Sequence, residues 1–511
     1  MAIDTKKMPL IILGFDAGDP GFIQRWESEG HLPAIASIMQ RGCWGQTAGV
    51  ELVCERSVWV SLFSGMSPGQ HGYYFFRQLK PRTYDLQTVI GGDVDARPFW
   101  AGLQGCDKKV AVIDVPDVTP LEGLSGLQLA NWGNHNSSSG PSTQPARLLQ
   151  DVRRVFGSQI RIAEKVNSTV HEDLRIRRRL LERIQKKGAL CRYLLSQDRF
   201  DLVVVVFSES HVAGHQFWKY RPGAEGGQGA VGPELTHAIR DVYQEIDRQM
   251  GLLLARLPSE ANVFIVSSTG MKDQYPNNGL IEAFCRTLGY QAPSEKGPSS
   301  LKPVALIRRT MPETWRTAIS RYLTKETRER LLADQFRRST NWRRTIAFPI
   351  PSIYTSFVRV NLQGREPEGV VEPGAEYEAL LDRLEGDLMQ LVDPETGEPA
   401  VKHVTKTGQA FHCGPPQSLP DLFVEWKPAS HFMRRVVHPR AELGQPKPEF
   451  FRGSDHSHQG FFAAAGPLIQ RRGWIGDASL LDLAPTFLSL VGEPVPKGMT
   501  GRVIETASVG A

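Results

Sequence analysis

At 511 residues the chain is too long for one minimal domain and ample for a large core, either one α/β unit with insertions or two domains. Its apolar content of 41% and charged content of 23% are ordinary for a folded protein, and a net charge of +5 gives no case for nucleic-acid binding. The six cysteines are scattered without a CxxC and read as reduced thiols; with no signal-peptide pattern and no apolar run approaching the roughly 18 residues of a spanning helix, a cytoplasmic protein is expected.

Residues 9–15 (PLIILGF) read as a buried strand with Asp16 at its carboxyl end, where open α/β sheets gather ligands. Asp19, before Pro20, is expected to cap the next helix, and helices follow around 21–29 and 33–41. Residues 51–72 (ELVCERSVWVSLFSGMSPGQHG) join a Cys-Glu-Arg-Ser cluster to a short apolar helix ending at Gly65. A nucleophile at a helix start gains from the dipole and free amides there, which makes Cys54, Glu55 and Ser57 chemical candidates. The plain alternative is that Ser57 only caps the helix and Arg56 is exposed. Segment 78–196 is turn-rich and then basic, closing in a helix over 173–196 whose Leu174, Leu180, Leu181, Ile184 and Leu194 form a buried stripe. Within it, 131–135 (NWGNH) reads first as a structured loop, with His135 a candidate contact for substrate.

The run 202–207 (LVVVVF) is continuous, apolar and mostly β-branched, the pattern of a strand buried on both faces. The loop after it carries Glu209, His211 and His215, and the two histidines, four apart, converge on one ion if that loop makes a helical turn. Alone, such a pair is more often structural than metal-binding. A long amphipathic helix over 235–254 leads to another buried strand at 262–267 (NVFIVS). Segment 302–346 holds 12 Lys and Arg against 4 Asp and Glu, interleaved with aromatic residues. It reads as a solvated helical insertion, or as a basic surface for an acidic partner. Residues 421–426 add a further strand, and 453–466 (GSDHSHQGFFAAAG) places His456 and His458 ahead of a strand-like 461–465.

Residues 11–42 and 57–72, together with 478–504 (ASLLDLAPTFLSLVGEPVPKGMTGRVI), resemble the opening and closing motifs of the alkaline phosphatase superfamily, in its type I phosphodiesterase/nucleotide pyrophosphatase branch. The resemblance implies an α/β sandwich with a mostly parallel central sheet and helices on both faces, a single catalytic domain over 1–511 with 78–196 as an inserted roof and 302–346 as a basic insertion. The strands at about 9–15, 202–207, 262–267 and 421–426 are expected to be neighbours in that sheet.

The family's enzymes hold two zinc-like ions around a Thr or Ser nucleophile. Carried over by position, one ion site becomes His211, His215 and His456, with a His where the family has an Asp, and three imidazoles remain a legitimate catalytic zinc set. Of the second site only Asp16 persists, because Ser268 and Thr269 stand where the family has an Asp-His pair. The nucleophile position falls on Glu55. A carboxylate attacks phosphorus only through a high-energy acyl phosphate, which favours Glu55 as a general base or an added ligand. His458 is left as a supporting or exposed residue, and Ser57, His135 and Glu209 as weaker contacts for substrate.

The expectation is a metal-dependent hydrolase of a small anionic phosphoester, with one divalent transition metal, zinc first and iron, manganese or cobalt as alternatives. Two other readings are open: the same pocket turned to a transfer, elimination or isomerisation, and a pseudoenzyme that binds a partner through its basic insertion. The three histidines in place argue against the last.

Overall fold

The computed structural model describes residues 8–134, 140–162, 164–222, 232–294, 324–448 and 451–505. His135 and residues 302–323 of the basic segment lie outside these ranges. The chain divides into two compact units, one made of Met1–His71, Ile90–Lys272 and His456–Ala511, the other of Gly72–Val89 and Asp273–Asp455.

The first unit is built on a nine-stranded sheet. In spatial order its strands are Gly473–Ser479, Cys43–Ala48, Gly460–Ala465, Asn262–Ser267, Leu10–Phe15, Leu202–Phe207, Lys109–Ile113, Ser125–Ala130 and Ser142–Gln144. The five from Asn262–Ser267 to Ser125–Ala130 run parallel. The buried strands read from the sequence are therefore its centre: Leu10–Phe15 lies between the other two, and all three are buried at every residue. Apolar clusters cover both faces, one under the helices Pro33–Arg41, Val170–Leu195 and Ala238–Leu254, the other under Val58–Ser64 and Leu483–Val491. Short helix starts follow the expected signals: Asp19 caps Pro20–Ser28 by accepting from the Phe22 amide at 2.9 Å, and Gly65 closes Val58–Ser64 in the left-handed region at φ 63°. No helix among the described residues is long and apolar enough to cross a membrane.

Two expectations about organisation are corrected. Segment 78–196 is not an added roof, because Lys109–Ile113, Ser125–Ala130 and Ser142–Gln144 are strands of the central sheet itself. Nor does 421–426 lie there. Leu422–Trp426 belongs to the second unit, in an antiparallel sheet ordered Ala347–Ile350, Ser356–Val360, Leu422–Trp426, Val401–Lys406. The misreading has a physical cause: Leu422 and Val424 pack on the helices of one face while Phe423 packs edge-on to Phe357 and Tyr74 on the other. A strand covered on both faces loses its alternation whatever the direction of its neighbours. Of the basic segment, Lys325–Arg338 is a helix of this unit, and its Glu329 pairs with Arg77 at 2.7 Å.

The basic helix of the first unit, Val170–Leu195, starts at a Thr169/Glu172 capping box and buries Leu180, Ile184 and Leu194 as its stripe requires. It also buries two cations that the stripe does not reveal. Lys187 lies 2.9 Å from Asp114 with both side chains at 0% exposure, and donates to the Val206 carbonyl; Arg183 lies 2.7 Å from Glu209. These pairs pin the helix to the carboxyl ends of two central strands. Removing one partner strands the other charge in a dry interior, which costs on the order of 3–5 kcal/mol. Lys187→Met is therefore expected to lower unfolding stability by about that amount in urea titrations, with Lys187→Met/Asp114→Leu recovering part of it; an unchanged midpoint for the single variant contradicts the pairing.

Candidate active site

The carboxyl ends of the parallel strands form one edge of the sheet, and the residues of interest follow directly from it. The peptide amide of Asp16 donates to the Phe207 carbonyl at 2.9 Å and that of Ser268 to the Phe15 carbonyl at 3.3 Å, so three strand ends are laced side by side. What the sequence left as a loop after 202–207 is a nine-residue helix, Glu209–Phe217. Its first turn is tied back to the edge by Ser210, whose hydroxyl donates to the Asp16 carbonyl at 2.7 Å.

That helix turns the four-residue spacing into a shared face. His211 and His215 meet edge to face with ring centroids 4.8 Å apart, and His456, arriving ahead of the Gly460–Ala465 strand, closes the group at 4.8 Å from His211 and 5.0 Å from His215. One ring nitrogen of each lies within 4.8 Å of the others, and all three side chains are buried. Among the described residues this is the group of metal-ligand type. Three converging, buried imidazoles are a donor set suited to a divalent transition metal.

The remaining hydrogen bonds orient these rings. Asp16 lies with Oδ2 3.4 Å from His211 Nδ1, while its Oδ1 accepts from the Trp59 indole at 2.7 Å and from the Ser268 hydroxyl at 3.2 Å. Thr269 Oγ1 lies 3.3 Å from His456 Nδ1. Asp16 thus stands beside the histidine group, and Ser268 and Thr269 are hydrogen-bonded to Asp16 and His456 respectively. Such outer contacts fix the tautomer and ring angle of a ligating histidine.

Glu55 sits in a single 3-10 turn, Glu55–Ser57, that feeds Val58–Ser64, one helical turn ahead of Trp59. Its Oε1 is 3.4 Å from His458 Nε2, both side chains about 15% exposed. His458 is therefore neither spare nor a mere surface residue.

Other candidates are displaced. Ser57 is fully buried and donates to the Cys54 carbonyl at 2.9 Å, so its hydroxyl does not face a substrate. Cys54 is buried as well, and burial, followed by the nearby Glu55 and Glu51 charges, holds its thiol well above the usual range. Glu209 is at 0% exposure and committed to Arg183. His71, from the same motif, is 2.9 Å from the Ser61 hydroxyl, and burial pulls its imidazole down to about 4.

Asp117 was missed. It follows the five-residue strand Lys109–Ile113 through a tight Asp114–Asp117 turn in which both aspartates take a left-handed conformation at φ 57°. Burial raises its carboxyl to about 6, partly offset by the Arg56 charge and reinforced by Asp16. Arg56 is half-buried and not simply exposed. Because the folded-state value lies above the ordinary 3.8, the folded protein binds the proton more tightly, and stability falls as pH rises from about 3.8 to about 6. Asp117→Asn, which keeps the acceptor for the Gly91 amide, is expected to gain stability over the parent at pH 7.5 and markedly less at pH 4.5. Thermal melts at the two pH values check this, and a difference independent of pH contradicts it.

The histidine cluster lies at the carboxyl edge of a mostly parallel sheet, in a chain of the α/β class. The chain belongs to the type I phosphodiesterase/nucleotide pyrophosphatase family, within the alkaline phosphatase superfamily: the family model matches residues 10–455. No curated protein sequence matches it. Among solved structures it is similar to human ectonucleotide pyrophosphatase/phosphodiesterase 5, at 12% identity and a TM-score of 0.49. It is similar also to the murine protein of that name, at 14% identity and a TM-score of 0.46. An inactive variant of the murine protein in complex with AMP aligns at 13% identity and a TM-score of 0.46. In each case 96% of both chains is covered.

Proposed function

We propose that the protein hydrolyses a small anionic phosphoester, of phosphodiester type, with one divalent transition metal held by His211, His215 and His456 and with Glu55 as general base. The observation that carries this is the convergence of three buried imidazoles from two separate segments at the strand edge, with the Glu55–His458 pair alongside. A metal so held supplies Lewis acidity, polarising the phosphoryl oxygens and acidifying water. Zinc suits three imidazoles best, with iron, manganese and cobalt as alternatives.

The chain's own groups do the rest. Asp16 and Thr269 hold His211 and His456 in the orientation they need. Glu55 takes a proton from the attacking water, and His458 fixes the carboxylate and balances its charge as it changes. Arg56, on the same turn, offers its guanidinium to a phosphate oxygen. The new phosphorus–oxygen bond forms to water, the bond to the leaving alcohol breaks, and the proton lost from water is matched by one taken up at the leaving oxygen. No phosphorylated protein intermediate is involved, since Ser57 and Cys54 are buried and a phosphorylated Glu55 would be an acyl phosphate.

Turnover of bis-p-nitrophenyl phosphate and p-nitrophenyl phosphate tests the reading. Metal-dependent release of nitrophenol, faster from the diester, is expected. If the metal-loaded protein is inert on both, the same pocket serves a non-phosphoryl reaction, a reading favoured by the Glu in place of a hydroxyl nucleophile; if it takes up no metal, the site is vestigial.

A further inference from the structure

A cavity of about 390 Å³ lies in the first unit, apart from the histidine group, between the helix Leu148–Phe156, the connector that follows it and the basic helix Val170–Leu195. Three arginines line it: Arg153 from the last turn of the first helix, Arg161 from the connector and Arg179 from the basic helix. Trp132, at the end of the Ser125–Ala130 strand, and Leu149 give it an apolar side. None of its lining residues is acidic.

The surrounding contacts build this arrangement. Arg179 donates through Nη2 to the Arg161 carbonyl at 2.9 Å, and Lys186 donates to the Ser158 carbonyl at 2.9 Å while lying 5.8 Å from the centre of the Trp132 ring. With its amide turned to satisfy its neighbours, Gln159 donates to the Asn131 and Trp132 carbonyls at 2.9 and 3.0 Å and accepts from Arg161 Nε at 2.9 Å. The first part of the connector, Ser158–Arg161, is thus fastened to the basic helix and to the end of the Ser125–Ala130 strand. Several nearby carboxylates pair elsewhere: Asp151 with Arg154, Glu172 with Lys165, Asp241 with Arg177. Each guanidinium carries five N–H donors, of which those contacts use one on Arg161 and one on Arg179.

We infer that this cavity is a binding site for a small organic phosphate bearing two or more negative charges, its phosphate held by Arg153, Arg161 and Arg179 and its organic part against Leu149 and the Trp132 side. Three like charges brought to one hollow repel until an anion arrives, and the planar guanidinium fork matches phosphate oxygens two at a time. The volume lies in the range of small-molecule sites. The site stands whether or not the reaction proposed at the histidine cluster is right.

The test uses the metal-loaded full chain and inorganic pyrophosphate as probe, followed by hydrogen–deuterium exchange. Protection of residues 148–162 on adding pyrophosphate is expected, with the concentration for half-protection rising on the order of tenfold or more in Arg153→Gln/Arg161→Gln and less in Arg153→Lys/Arg161→Lys, which keeps the charge but loses the fork. Metal content and turnover should be unchanged in both. Protection confined to the histidine helix Glu209–Phe217, no protection anywhere, or equal half-protection in parent and Gln variant each overturns the inference.

Discussion

Glu55→Gln is expected to keep the fold and lose turnover by on the order of 10²–10⁴, the usual worth of a positioned acid–base group. The amide is nearly isosteric and can keep a hydrogen bond with His458, 3.4 Å away, so the melting temperature should move little. What it cannot do is accept a proton from water. Steady-state rates on the best diester, with metal content measured on the same preparation, separate loss of the base from loss of the ion. Full turnover in Glu55→Gln would make the carboxylate a bystander and remove the proposed mechanism.

The second large effect is expected at His215. Its ring lies within 5.0 Å of both His211 and His456, centre to centre, and His215→Ala leaves two imidazoles where the site needs three. The variant is expected to retain less than about a tenth of the parent's metal after dialysis, and turnover should fall with it, since a ligand lost from such a set costs affinity by far more than the 10–100-fold of an outer contact. Thr269→Val is the milder companion, removing only the hydroxyl beside His456 Nδ1. Undiminished metal in His215→Ala would show that the three histidines do not hold it.

How far the sequence discloses these features depends on what each residue is packed against. Strands 10–15, 202–207 and 262–267 were legible because both faces are covered, which leaves mostly apolar runs, and His211 and His215 were legible because they follow one of them. The same rule failed for Leu422–Trp426, since burial on both faces says nothing about which sheet a strand joins. Lys109–Ile113 went unread as a strand: at five residues, with an exposed Lys at its start, it is too short for its pattern to stand out from the turns around it. With it went Asp117, whose place at the strand edge follows only once that strand is recognised. Arg183 and Lys187 lie on a helix rich in exposed cations, and nothing local distinguishes the two whose carboxylate partners come from other strand ends. His458 illustrates the opposite limit, because its partner Glu55 lies 403 positions away in sequence.

The central claim, one catalytic ion on three histidines without a second site, is tested most directly by adding zinc back to the metal-free protein and following diester turnover against bound equivalents. Ser268 and Thr269 are occupied with Asp16 and His456, so activity is expected to rise linearly and level off at one equivalent per chain. A rise that continues to two equivalents, or turnover that the metal leaves unchanged, would contradict the account.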